Sequence, residues 1–252
     1  MKPQHYLIFH PDRARARTEV QATALIGAQL IDWQGHVWVD KPSGNEDPFV
    51  FSHRWLYSYC HATQLRRTPR SNSEYVSTGS SLFFCSGDAA NDGAIQVDTV
   101  FVVDHVATWP ADQQGLPEDF KEHYRNNSSD LWQRHFRYPF YGSHEGKYTY
   151  VSRQRFDRTD EYSFLPIAKS GDRVSFELDA LTRDLRLGIS AKITGKRPVP
   201  VSEDQKTELL TKILSLTGVQ LIHGLARQAA PNKRTSHPSG ACGANLPCDL
   251  KC

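Results

Sequence analysis

The stretch RHFRYPFYGSHEGKYTYVSR, residues 134–153, places four Tyr, two Phe, two His, three Arg, a Lys and a Glu around two glycines. Rings alternating with cations suit a flat heterocycle stacked on aromatic faces while its phosphate meets guanidinium groups. Within it, His144 beside Glu145 on a Gly-flanked turn is a pair able to take and return a proton, with Tyr148 close by in sequence. No second His follows at helical spacing, so the H-E-x-x-H zinc pattern is absent. The expected division of labour puts Phe136, Tyr141 and Tyr148 on a base, Arg137 and Arg153 on its phosphate, and His144 with Glu145 at the proton. The competing expectation is a solvated hairpin turn, whose exposed charge pair contributes under about 1 kcal/mol.

A second cluster is EYVSTGSSLFFCSG, where Ser77, Thr78, Ser80 and Ser81 surround Gly79 just ahead of a strand. Such a turn can offer backbone N–H groups and hydroxyls to a phosphate, or can simply be a polar entry to the strand. It is similar to the Ser-Thr-Ser strand of ADP-ribosyltransferases. That resemblance implies roles for Arg54 upstream and Glu161 downstream, although no Glu-x-Glu follows. The cationic runs QLRRTPR and RARAR extend a possible anion-binding surface, and each alone is an ordinary solvated face. Asp32, Asp40, Asp98 and Asp104 are expected at strand ends, where acids hold a metal, orient a His such as His105, or merely end the strand.

The C-terminal segment holds a third set: His237, Cys242, Cys248 and Cys252. One imidazole and three thiols match a structural zinc, which would fold a segment that has little else to bury. The spacing lacks a C-x2-C knuckle, so a loose tail is the alternative. Cys60 and Cys85 lie in apolar surroundings and read as small buried hydrophobes. Five cysteines, an odd number, argue against a disulfide framework.

The elements that must position these groups are uneven in clarity. HYLIFH reads as a first strand, and TEVQATALIGAQLIDW as a helix with Val20, Ala24 and Ala28 on one side. HVWVD alternates as a strand does, and FVFSHRWLYSY follows as one or two more. SSLFFCSG and IQVDTVFVVDHV, separated by DAANDGA, predict a hairpin whose second strand is central and covered on both faces. LPEDFKEHYRNNSSDLWQRHF starts as a helix should and is broken by its Asn-Asn-Ser-Ser middle. KYTYVSRQRF, YSFLPIA and DRVSFELD are further strands. SEDQKTELLTKILSLTG is the clearest helix: Ser202 and Gln205 form a capping box, Leu209, Leu210, Ile213 and Leu214 a stripe, and Gly218 closes it. The expected fold is a single α+β domain over residues 1–228 with a mostly antiparallel or mixed central sheet and a C-terminal helix, followed by a Cys/His-containing tail over 229–252.

The chain has 252 residues, 38% hydrophobic and 23% charged, enough to bury a core and unlike a disordered or fibrous protein. A net charge of +2 exerts no global pull toward nucleic acid or anionic membrane, so any such binding must be local. The N-terminal apolar run is too short for a secretory segment and no run could span a bilayer, which predicts a cytoplasmic protein with no membrane partner. Walker, G-x-G-x-x-G, nucleophile-elbow and kinase patterns are absent. The combination SLFFCSG, QVDTVFVVDHV, HEGKYTYVS and YSFLPI, across roughly the middle half of the chain, resembles uncharacterised bacterial and phage-encoded proteins of the nucleotide-modification-associated type. The resemblance implies a setting in DNA modification or phage defence, and it carries no catalytic residue over.

The leading expectation is therefore an enzyme or enzyme-like module acting on a nucleotide or nucleic-acid base, with no organic cofactor named by any motif. The alternatives are a non-catalytic reader of modified nucleic acid, an ADP-ribosyltransferase-like enzyme using a nicotinamide dinucleotide, and an interaction protein that docks through a zinc-bound tail.

Overall fold

SLFFCS, residues Ser81–Ser86, is buried along its whole length, a pattern that requires cover on both faces of the sheet. The computed structural model describes residues 2–9, 15–26, 29–40, 48, 50, 55–57, 65, 76–87, 93–108, 148–153, 161–186, 198–216 and 218–227. These form β1 (His5–Phe9), β2 (Arg15–Ile26), β3 (Gln29–Asp40), β4 (Leu56–Tyr57), β5 (Ser81–Ser86), β6 (Ala94–Thr108), β7 (Tyr148–Ser152), β8 (Leu165–Ile167) and β9 (Val174–Glu177). Helix α1 (Leu178–Asp184), β10 (Val199–Val201), α2 (Glu203–Leu214) and β11 (Gln220–Arg227) complete them. The fold is mixed α+β and mostly sheet. One sheet of seven strands runs β10-β1-β5-β6-β7-β4 with β9 also on β6, and a second of four runs β3-β2-β11-β8. The β1–β5 pairing is parallel and its neighbours are antiparallel, which makes the larger sheet mixed.

Two cores follow from alternation along the strands. Ile8, Leu82, Phe84, Phe101 and Val103 face the smaller sheet, where they meet Val20, Ala24, Val37 and Ile222. Leu7, Phe9, Phe83, Cys85, Ile95, Val97 and Val100 face the other way, toward Leu181 of α1 and Leu209, Leu210 and Ile213 of α2. The inward set on β6 changes parity between Val97 and Val100. Thr99 lies opposite Phe84 while Val97 lies opposite Cys85, so Asp98 is an extra residue, a β-bulge. On β11, His223 faces Thr23 and Ala226 faces Gln21. Gly224, at φ 53°, supplies the left-handed residue that bulge needs, and Ile222 and Leu225 both reach the first core.

The predicted β5–β6 hairpin is present, with Gly87 and Gly93 at φ 127° and 68° beside its loop. Helix α2 carries the predicted capping box: Ser202 Oγ accepts from Gln205 N, and Gln205 Oε1 accepts from Ser202 N. Leu209, Leu210 and Ile213 are buried, whereas Leu214 is exposed. Cys85 is buried as expected.

The helix expected over residues 18–33 does not form. Residues 18–26 and 29–33 belong to the facing strands β2 and β3, paired antiparallel from Arg15↔Asp40 to Ile26↔Gln29. Val20 and Ala24 are buried together because a spacing of four residues satisfies a period of two as well as a helical turn. Asp98 and Asp104 do not end strands but interrupt β6. No helix among the described residues is long and apolar enough to cross a membrane. The broken helix expected over 116–136, the turn at 144 and 145, Cys60 and the tail lie outside the described residues.

Candidate functional site

The long strand β6 carries two carboxylates inside an otherwise apolar run, and each sits on a bulge. At the second bulge Val103 pairs with Ser152 and His105 with Val151, so Asp104 is the extra residue. A regular strand would send Asp104 and His105 to opposite faces. Here Asp104 Oδ2 lies 3.2 Å from His105 Nδ1. Asp104 Oδ1 also lies 3.5 Å from Arg153 Nε, and Arg153 Nη1 lies 3.4 Å from Glu161 Oε2. The Arg153 backbone is pinned on both sides: its N–H donates to Val102 O at 2.7 Å and its carbonyl accepts from Ser163 N at 3.0 Å.

The Ser-Thr-Gly turn borders the same cluster. Thr78 Oγ1 donates to Asp104 O at 2.7 Å, and Gly79 N donates to Val103 O at 2.8 Å. Ser77 Oγ donates to Lys2 O and Ser80 N to Ser77 O. Of the donors expected to cradle a phosphate, the Ser77 and Thr78 hydroxyls and the Gly79 and Ser80 N–H groups are thus engaged by the chain itself, and these two hydroxyl oxygens keep their acceptor capacity. Gly79 holds φ 84°, which the turn requires and which a side chain would strain. The structure therefore brings together Ser77, Thr78 and Arg153 of the expected substrate-binding set, and Glu161 joins them. Tyr148 opens β7. Arg54, Phe136, Arg137, Tyr141, His144 and Glu145 lie outside the described residues, as do His237, Cys242, Cys248 and Cys252. Among the described residues no group of three or more His, Cys, Asp or Glu is arranged to hold a metal.

Three other polar clusters bear on the choice of site. At the first bulge Asp98, 6% exposed at its side chain, pairs with Arg173 at 3.5 Å. Arg173 also donates to Ser86 Oγ at 3.0 Å and lies over the Trp38 ring. The open crevice beside them, with Trp38, Asp98, Ile167 and Arg173 among its walls, has a cavity volume of about 10 Å³, room for a water and not for an organic ligand. His5 Nδ1 accepts from Ser81 N at 2.9 Å, so Nε2 carries the proton donated to Glu203 Oε2 at 2.8 Å. Burial holds the His5 pKa below its ordinary value, partly opposed by the Glu203 hydrogen bond. Lys206 donates to the other Glu203 oxygen, and that bond is the main cause lowering the carboxyl pKa. His223 is wholly buried between Tyr162 and Phe164, and its Nδ1 donates to Ser163 O at 2.8 Å. These groups tie β1 to α2 and one sheet to the other. Of these clusters among the described residues, the Asp104 cluster combines an accessible imidazole with acceptors and a cation.

The Asp104–His105 dipeptide was visible in the sequence, yet nothing there marked it above the other acids. The usable signal was a carboxylate interrupting a buried apolar strand, because such a group demands a partner. The chain matches no known protein family, no curated protein and no solved structure.

Proposed function

We propose that the protein binds and acts on a nucleotide or nucleic-acid base at the rim formed by Ser77, Thr78, Asp104, His105, Arg153 and Glu161. One observation carries the reading: a hydroxyl turn and an arginine, distant in sequence, both contact the Asp104 of a His–carboxylate pair. The ring-and-cation stretch of residues 134–153 ends at this rim, since Arg153 is its last residue. The rim is rich in acceptors, and Arg153 already faces two carboxylates. Such a surface suits the N–H groups of a base edge or the hydroxyls of a ribose, and phosphate contact falls to Arg54 and Arg137 in this reading.

The test is a binding titration at low salt, where phosphate contacts are strongest, using nucleosides, nucleotides and short single-stranded DNA and RNA. A nucleoside should retain much of its nucleotide's affinity, and Arg153→Ala should weaken both by about tenfold, the loss of one charged hydrogen bond. No binding by any of these probes removes the reading. Ala substitution of His105, with that of His144 and Glu145 in parallel, separates an enzyme, which loses turnover in one of them, from a reader, which keeps its affinity in both.

One observation favours a second reading, ADP-ribosyl transfer: Glu161 reaches the Ser77–Thr78 turn through Arg153 and Asp104. Incubation with a nicotinamide dinucleotide and a mass scan of protein and DNA decides it.

A further inference from the structure

We propose that His105 is the proton-accepting group of this rim, aimed by the bulge at Asp104 and fixed in one tautomer by that carboxylate, with Arg153 as the residue that positions Asp104. The inference rests on the base-binding reading for its substrate, but its geometry stands apart from it.

The bulge is the first support. Bulges recur beside active sites because they re-aim a side chain, and this one turns two consecutive side chains to the same side so that they touch. The tautomer is the second. An ionised carboxylate only accepts, so the 3.2 Å contact places the hydrogen on Nδ1 and leaves the lone pair on Nε2. The third is access. The His105 side chain is 45% exposed, whereas those of His5 and His223 are buried.

The charges arranged around the ring complete the case. Among the described residues they run in sequence from His105 to Asp104, Arg153 and Glu161. A proton leaving a hydroxyl or ring N–H of the substrate would rest on Nε2, and the resulting imidazolium would face the Asp104 carboxylate. The same proton then returns to the substrate, so the step moves a proton alone, with no other bond made or broken, and needs no further reactant. Glu161 holds the far end of Arg153, which keeps the guanidinium in place behind Asp104. Thr78, bonded to the Asp104 carbonyl, holds the bulge itself.

The ring nitrogens of the full chain, observed by ¹⁵N NMR, test this without any substrate. The expected wild-type spectrum shows neutral His105 protonated at Nδ1. Asp104→Asn should move the proton toward Nε2 while the backbone spectrum stays folded. Arg153→Gln should mix the two forms and Arg153→Lys should restore the first, a pattern that mere structural support would not give. An Nε2-protonated ring in wild type, or one indifferent to Asp104→Asn, overturns the proposal. The four deoxynucleoside monophosphates, added at low salt, should then shift the Nε2 resonance. A nucleotide that binds without shifting it sinks the role of His105 and leaves the base-binding reading intact. If no nucleotide binds and the Asp104-dependent tautomer is found, the base-binding reading falls and the paired imidazole stands.

Discussion

His223 shows how a residue that touches no ligand can govern the protein's response to acid. Burial lowers its pKa from 6.5 to about 4, opposed by the bond to Ser163 O. The folded chain therefore holds a neutral ring where the unfolded chain would take up a proton. As pH falls through 6.5 the unfolded state gains that proton first, so stability declines, and the loss is complete near pH 4. A difference of this size corresponds to about 3 kcal/mol for one site. His5 adds a contribution of the same sign. Urea unfolding measured between pH 7 and 4 should show the decline, and His223→Gln, although less stable at pH 7, should show a shallower one. An equal slope in the variant would mean the acid sensitivity lies elsewhere.

At the scale of elements, α2 is tied down at its first turn as well as along its buried stripe. Gln205 accepts from Ser202 N through Oε1 and donates through Nε2 to Leu185 O at 2.6 Å, just past α1. Gln205→Ala removes both bonds and should cost about 2 kcal/mol in thermal or denaturant unfolding, against about 1 kcal/mol for Ser202→Ala, which removes the cap alone. This helix was legible because its cap, stripe and terminal glycine agree locally. The β5–β6 hairpin was legible for the same reason. The β2–β3 hairpin was not, since Val20 and Ala24 fit either period. Strand β11, with Gly224 in its middle, gave no clean alternation because its bulge moves Leu225 to the face of Ile222. The site was half legible. Residue type pointed to Ser77, Thr78 and Arg153, but the bulge that aims His105 exists only once β7 is laid against β6. The pairing of Arg153 with Asp104 likewise spans too much sequence to be inferred from spacing.

Across the whole molecule, the two ends of the chain pose different questions. We propose that His237, Cys242, Cys248 and Cys252 hold one structural zinc. Metal analysis of purified protein should give one zinc per chain that disappears when residues 231–252 are removed. A metal-free full chain ends that proposal. At the other end, β1 lies between β5 and β10, with Tyr6 opposite Leu82 on one side and His5 opposite Val201 on the other. A ribosome thus delivers the first strand long before its second neighbour exists. Until Val199–Val201 has been made, the nascent chain must shelter a half-paired apolar ribbon, open to any other growing polypeptide. Fragments ending short of β10 should therefore aggregate during expression, however well their own strands are formed.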